Sequence, residues 1–382
     1  MKIIETPGLR ILSWCNEPEG GAIEQAMNIA RLPFAYHHIA LMPDTHQGFG
    51  MPIGGVLAAL DTIIPNAVGV DIGCGMLAVK TPLTAISQDD VKKIMGLIRK
   101  SIPTGFNHRK TPLDIESPPA DGPISQAEHK SARHQVGTLG GGNHFIEIQK
   151  GNDGHIWYMV HSGSRNIGYK VCDHYNKLAK ELNVKWKSPV PRQWDLAHLP
   201  TDSTEGRQYV TEMEFCQRFA ARNRDVMADY VHEAFEEVLG SMDKLASFNV
   251  HHNYARWEHH FGNDVWVHRK GATSAQKDEI GIIPGSQGTK SYIVRGLGSP
   301  DSFMSCSHGA GRVMGRKEAQ RTLSLTDEIK RMDDKGIVHG LRNVRDLDEA
   351  ASAYKDIDIV MAEQADLVTI EVELTPLGVI KG

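Results

Sequence analysis

Apolar residues gather at strand spacing in HIWYMVH (155–161), DVWVHRK (264–270), SYIVRG (291–296) and TIEVEL (369–374), runs rich in β-branched and aromatic side chains. The spacing changes between residues 212 and 240. There Phe215, Phe219, Val226, Tyr230 and Val238 recur at helical intervals and predict a long amphipathic helix. TPLDIESPPADGPIS (111–125) has four prolines and few large apolar residues, so it predicts a surface loop or lid. A second irregular stretch is expected over 185–206. No period repeats and no tract is of low complexity. Residues that suggest chemistry run from Asp44 to the last residues of the sequence, so one composite domain over 1–382 is expected rather than two.

Composition narrows the class. Hydrophobic residues make up 40% and charged residues 23%, and no apolar run approaches the roughly 18 residues of a membrane span. The first residues, MKIIETPGLRILSW, lack an uninterrupted apolar stretch, so a secretory signal is not expected and the location is read as cytoplasmic. Five cysteines, odd in number and widely spaced, predict no disulfide framework. The net charge of −5 argues against a protein that coats nucleic acid nonspecifically, yet it leaves room for a local basic groove. Nineteen histidines are more than packing requires.

Histidine and cysteine recur beside dense glycine in VGVDIGCGM, GTLGGGNHF, HSGSRNIG, NVHHNYA and SCSHGAGR. A buried histidine alone is more often a hydrogen-bonded core residue than a ligand, and a lone cysteine is more often a small hydrophobe. Five such blocks, each set among poor helix and strand formers, favour loops built around a metal. Asp71, Cys74, His144, His161 and His252 form a mixed S, N and O set compatible with zinc, manganese or iron, and a thiolate can bridge two ions. Side chains of adjacent residues point apart, so only one of His251 and His252 is expected to coordinate. His259 and His260 are set aside.

Walker A is absent, because Thr289 stands between Gly288 and Lys290 in GSQGTKS. The IIPGSQGTKSYIV stretch suits either a turn between strands or a loop that contacts a base or phosphate. In SCSHGAGRVMGR, a helix starting at the glycines would aim amides at phosphate and put Arg312 and Arg316 on one face. His308 is then the candidate nucleophile, able to attack phosphorus and form a phosphoramidate, with a metal ligand or general acid as its blander role.

Together with MPDTHQGFGMPIGG (42–55), RKGA, IIPGS and the final GVIKG, these blocks resemble the RtcB family of GTP-dependent RNA-splicing ligases over nearly the whole sequence. The resemblance implies an α+β fold with mixed β-sheets flanked by helices around a central dinuclear metal cleft, two Mn2+ ions, and GTP. It implies that Asp71, Cys74 and His144 bind one ion and Cys74, His161 and His252 the other, and that His308 takes GMP from GTP. It also implies GTP contacts from Asp44, Asn143, Glu147, Ser286, Ser291, Gly309, Ala310, Gly311, Arg312, Tyr354 and Lys381, with Tyr354 stacking on the base. Arg165 and Arg316 would meet RNA or triphosphate oxygens. The implied substrates are RNA ends bearing a 2′,3′-cyclic phosphate or 3′-phosphate and a 5′-hydroxyl. An activating protein, and the choice between tRNA splicing and RNA repair, are left open, with repair slightly preferred. Asn166 and Lys290 depart from the family pattern and bear on RNA specificity. A dinuclear metallohydrolase that opens cyclic phosphates, using Asp44 and His46 with the cluster, is the rival reading.

Overall fold

Both faces of the strand Ile156–Ser162 are buried, which explains why HIWYMVH reads as a continuous apolar run. Tyr158 and Val160 pack with Ile146, Ile148 and Phe235, whereas Trp157 and Met159 pack with Met76, Ile282 and Leu374. The computed structural model describes residues 1–382 and builds two large sheets. One has seven antiparallel strands in the order Ala246–His251, Gly75–Lys80, Ile156–Ser162, Phe145–Gly151, Val368–Lys381, Ser291–Gly296 and Ile280–Ile283. It curls until its first and last strands approach each other.

The second sheet has six strands, Lys2–Ile4, Ile11–Ser13, Ala35–His46, Ile53–Ala59, Asn263–Lys270 and Asn253–His260. Its one parallel pair joins Ile11–Ser13 to Ala35–His46. His252 alone separates the edge strand of one sheet from the edge strand of the other, so the two sheets meet there. A short ribbon, Ala272–Ser274 with Ser305–Ser307, delivers the chain directly into His308. The expected α+β architecture with sheets and flanking helices is what forms.

The long helix starts earlier than its apolar spacing suggests and runs Thr204–Leu239. Ser203 caps it by accepting the Gly206 N–H at 3.0 Å, and Gly240 at φ 90° ends it. Its length follows from two burials in series. Met213, Cys216 and Phe219 enter one core, and Met227, Val231 and Phe235 enter another. Residues 185–206 hold the end of the helix Arg165–Lys185, a 3₁₀ turn at Arg192–Trp194, the two-residue strand Leu199–Pro200 and the first residues of the long helix. The loop expected at 111–125 is irregular up to Gly122, but the helix Pro123–Gln135 claims its last residues. TIEVEL is a fragment of a much longer strand, Val368–Lys381, whose register shifts between Pro376 and Gly378. No helix is long and apolar enough to cross a membrane.

Candidate functional site

The end of the strand Ile156–Ser162, the start of the neighbouring strand Phe145–Gly151 and the loop before Gly75–Lys80 bring four of the metal-type residues together, and His252 adds the fifth from the sheet junction. Cys74 Sγ lies 3.3 Å from His161 Nε2 and 3.6 Å from His144 Nε2. His161 Nε2 is 3.4 Å from His252 Nε2, and His144 Nε2 is 3.0 Å from Asp71 Oδ2. Two triads result, Cys74–His161–His252 and Asp71–Cys74–His144, each with ligand atoms within 4.8 Å of one another and sharing the thiol.

The tautomers suit coordination. His144 Nδ1–H donates to Leu139 O at 2.9 Å and His161 Nδ1–H to Asn143 O at 3.0 Å, so both Nε2 lone pairs face the cluster. Burial holds His161 and His252 well below the usual imidazole range, neutral and able to ligate. Burial by itself would raise the Asp71 carboxyl, but the contact with His144 holds it low. Burial and the Asp71 charge push the Cys74 thiol far up, an effect that a bound dication reverses by favouring thiolate. Three imidazoles, one sulfur and one carboxylate therefore fit a pair of borderline cations. Gly163 is required beside them, because a Cβ there would lie 2.1 Å from Asp71 Oδ1.

His308 stands on the other side of His252, with ring centroids 4.8 Å apart. Its Nδ1–H donates to Asp44 Oδ2 at 2.6 Å, and the backbone N–H groups of His308 and Gly309 donate to the same oxygen. Nε2 is thereby left as the lone-pair nitrogen. Burial would raise the Asp44 carboxyl, but the His308 imidazole holds it below the usual range. Asp44 is thus an orienting acid beneath the histidine and does not line the cleft. Gly311, at φ 74°, allows the approach, since a Cβ there would meet Asp44 O at 2.3 Å.

A cleft of about 160 Å³ opens at His308. Asn143, Glu147, Ser286, Gly309, Ala310, Gly311, Arg312, Arg316, Tyr354 and Lys381 all line it, so most of the expected nucleotide residues come together. Burial pushes Glu147 up to about 8 and Lys381 down to about 8. Lys381 sits in the cleft because the final strand pairs Lys381 with Phe145. Its ammonium donates to Gly142 O at 2.7 Å.

Four expectations change. No helix starts at the glycines of SCSHGAGR: residues 308–315 are irregular, and the helix Arg316–Thr322 begins only at Arg316. Arg312 and Arg316 nonetheless converge, because both bind buried Glu349, at 2.5 and 2.6 Å. Ser291 lies within a strand, where its Oγ accepts the Gly285 N–H at 3.2 Å, so it shapes the loop without facing the cleft. Arg165, at φ 60°, donates inward to Thr138 Oγ1 and Gly105 O beside the metal-type residues and does not line the cleft. Finally, Asp44 and His46 do not join the metal triads, and His46 Nδ1–H donates to Asp44 O at 2.9 Å.

The loop 284–290 joins two antiparallel strands, the first of its alternatives, and lines the cleft through Gly285, Ser286 and Gln287. His251 turns away from the cluster toward Gly73 O and Arg224, leaving His252 as the ligand-type residue of the pair. His260 is bound to Glu258 and His259 to Asp264, both away from the triads. Of the departures, Lys290 pairs with Glu373 at 2.6 Å on the surface, and Asn166 Nδ2–H donates to Glu128 at 3.2 Å.

Three important residues escaped the motifs. Glu349 gathers Arg312, Arg316 and the Tyr354 hydroxyl at one end of the cleft, while the Arg312 guanidinium sits 5.0 Å over the Tyr354 ring. Arg224, fully buried in the long helix, donates to Gly73 O at 2.9 Å and Ser162 O at 2.8 Å, and its Nη2 lies 3.1 Å from His251 Nδ1. It thereby ties together the three segments that carry Cys74, His161 and His252. Asn223 beside it binds the Gly137 and Thr138 N–H groups and the Gly163 carbonyl. A polar pair within an amphipathic helix looks like solvated surface in a sequence; only tertiary structure reveals its burial.

Comparison with known proteins agrees with this geometry. The family described as tRNA-splicing ligase RtcB matches residues 25–121 and 117–382. The chain is 38% identical to the RNA-splicing ligase RtcB of Escherichia coli K12, with 95% of both chains covered. It is 32% identical to the tRNA-splicing ligase RtcB of Thermococcus kodakarensis, covering 94% of this chain and 91% of the relative. On this match, which spans both the cluster and the cleft, the chain belongs to the RtcB family.

Proposed function

We propose that this chain is an RNA ligase that joins a 3′-phosphate or 2′,3′-cyclic phosphate end to a 5′-hydroxyl end, with GTP as cosubstrate and His308 as the nucleophile. The observation that carries the reading is the position of His308: its Nδ1 is fixed by Asp44, and it stands between a five-residue metal-type cluster and a cleft lined by cationic and base-sized partners.

In the first step His308 Nε2 attacks the α-phosphorus of GTP. The new N–P bond replaces the bond to the β-phosphate, and pyrophosphate leaves. Asp44 stabilises the positive charge that grows on the imidazole and keeps the ring in the productive tautomer. Arg312, Arg316 and Lys381 offer cationic partners for the phosphates or the base edge, and Tyr354 offers a ring for stacking. An oxygen of the RNA 3′-phosphate then attacks the same phosphorus, returning the His308 lone pair and leaving GMP on the RNA end. Attack by the 5′-hydroxyl on the 3′-phosphate expels GMP and seals the strand. A cyclic phosphate is opened by water before this sequence.

Asp71, Cys74 and His144 would hold one divalent ion and Cys74, His161 and His252 a second, with manganese the choice that the family resemblance implies. Such ions supply charge neutralisation at the transferring phosphoryl group. A cytoplasmic location, one continuous domain over 1–382, and service in RNA repair or tRNA splicing belong to the same reading. The hydrolase alternative loses its support because Asp44 is committed to His308 and stands outside the cluster.

The test is incubation with manganese and α-labelled GTP followed by denaturing electrophoresis. Label retained by wild type and absent from His308→Ala is the expected result. Label on both, or on neither while cyclic phosphates are still opened, would remove the histidine-nucleotide step.

A further inference from the structure

Two phenylalanines stand in water on loops joined to segments that line the cleft, Phe49 at 80% exposure and Phe106 fully exposed. We propose that they are stacking platforms for the terminal bases of the two RNA strands, one platform for each strand. The proposal rests on the RNA-ligase reading and adds to it the surface that receives the ends.

Phe49 lies between His46 and Ile53, which both line the cleft and belong to strands of the six-stranded sheet. Its loop is fixed, not loose. Lys270 Nζ and the Met51 N–H donate to Phe49 O at 2.6 and 2.8 Å, and Gln25 exchanges two hydrogen bonds with Gly48. Lys270 is itself buried and held by a second carbonyl, that of Asn66, at 2.8 Å. Phe106 approaches from the other sheet. Its neighbour Gly105 donates to Gly140 O at 2.7 Å and accepts from Arg165 at 3.2 Å, and Gly140 lies three residues before Asn143, which lines the cleft.

A phenyl ring held in solvent on a backbone with this many hydrogen bonds gains nothing from folding, but it is preorganised for a flat apolar partner. Single-stranded RNA supplies one in its terminal bases, whose stacking on aromatic side chains tolerates any sequence. The charges alongside suit phosphate. Phe106 leads directly into the exposed His108 and Lys110. Beyond Phe49, Gly50 packs on the Asp195 carbonyl, and the adjoining surface pocket is lined by Lys180, which pairs with the Asp195 carboxylate at 2.6 Å, and by Lys187 and Arg192. A ligase must hold two ends at once, and the two platforms lie on separate loops, one between His46 and Ile53 and the other bonded to the segment that leads to Asn143.

The experiment uses two oligoribonucleotides, one with 5-iodouridine as its first nucleotide and a 5′-hydroxyl, the other with 5-iodouridine as its last nucleotide and a 3′-phosphate. Irradiation with wild-type protein is expected to crosslink one strand at Phe49 and the other at Phe106, read by peptide mass mapping. Phe49→Ala and Phe106→Ala, with leucine at the same positions as apolar controls, should each raise the Kd of a different strand by about 5- to 150-fold, the range that stacking of one base corresponds to. GMP labelling of His308 should be unchanged. Both substitutions weakening the same strand, leucine restoring wild-type affinity, or crosslinks confined to other residues would overturn the platforms. Wild-type affinity for both strands in both variants would also overturn them, and would point to a protein partner for these rings. A wild-type protein that joins no strands and takes no label would instead overturn the ligase reading beneath.

Discussion

Replacing Arg224 with methionine tests whether the cluster is held from behind by the long helix. The substitution keeps much of the volume and removes the fork that binds Gly73 O and Ser162 O, two buried carbonyls adjacent to Cys74 and His161. Gly73 O keeps His251 Nδ1 as a partner at 3.0 Å, so the cost is that of leaving Ser162 O without its guanidinium donor, about 1–3 kcal/mol. Part of this is returned, because a guanidinium that burial holds down to about 10 no longer has to be desolvated. A net loss of about 1–2 kcal/mol remains. With an unfolding entropy of about 2.1 cal/mol/K per residue, a chain of 382 residues loses about 1–3 °C in Tm. Because the same fork aligns three ligand-bearing segments, Mn2+ affinity should fall by about 10- to 100-fold, as for other residues that orient ligands. Calorimetric titration of Mn2+ and thermal melts of Arg224→Met and Arg224→Lys provide the readout. Wild-type metal affinity and Tm in Arg224→Met would refute the clamp, and full rescue by lysine would show that charge matters and the fork does not.

Cys74→Ala removes the one donor shared by both triads, so metal analysis should show loss at both positions, whereas His308→Ala should retain its metal; a fully loaded Cys74 variant contradicts the bridge. Asp44→Asn leaves the His308 ring without its carboxylate acceptor, and guanylylation should slow by about 10²–10⁴-fold in single-turnover labelling. An unchanged rate would assign Asp44 a purely structural place. Burial pushes Glu147 up to about 8, so between its ordinary pKa near 4.5 and pH 8 the folded chain holds a proton that the unfolded chain lacks, and this contribution to stability falls as pH rises through that window. If its carboxylate accepts the N–H donors of guanine, the Kd for GTP should fall about tenfold per unit of rising pH up to about 8 and then level off. Glu147→Gln should flatten the profile, and a flat wild-type profile would exclude the contact.

Much of this site was legible because it is local in sequence. Cys74 follows Asp71 by one turn, Gly163 makes room for the Asp71 carboxylate, and glycine beside ligand-type residues marks each loop that turns toward the cluster. The contacts that order the site are not local. Glu349 lies in a run of charged and small residues, and its value comes only from Arg312 and Arg316 arriving from more than thirty positions away. Arg224 is reached by carbonyls from a strand 62 positions away and a loop 151 positions away. The helix expected at the glycines of SCSHGAGR failed for a physical reason: Asp44 already accepts the N–H groups of His308 and Gly309, and Gly311 lies at positive φ, so the segment is bound as a loop before a helix can start.

The division of labour between the two sheets gives the strongest reason to expect separable defects. Asp71, Cys74, His144 and His161 are set by the ends of three inner strands of the seven-stranded sheet and the helix behind it. His308 comes from a two-stranded ribbon, and its orienting acid Asp44 comes from the six-stranded sheet. His252 is the joint, one residue from each sheet's edge strand and 4.8 Å by ring centroid from His308. A substitution at His308 or Asp44 should therefore spare metal binding, whereas His252→Ala should damage both metal binding and nucleotide transfer. Loss of metal without loss of nucleotide transfer in that variant would mean that the two halves are independent and that the joint only connects them.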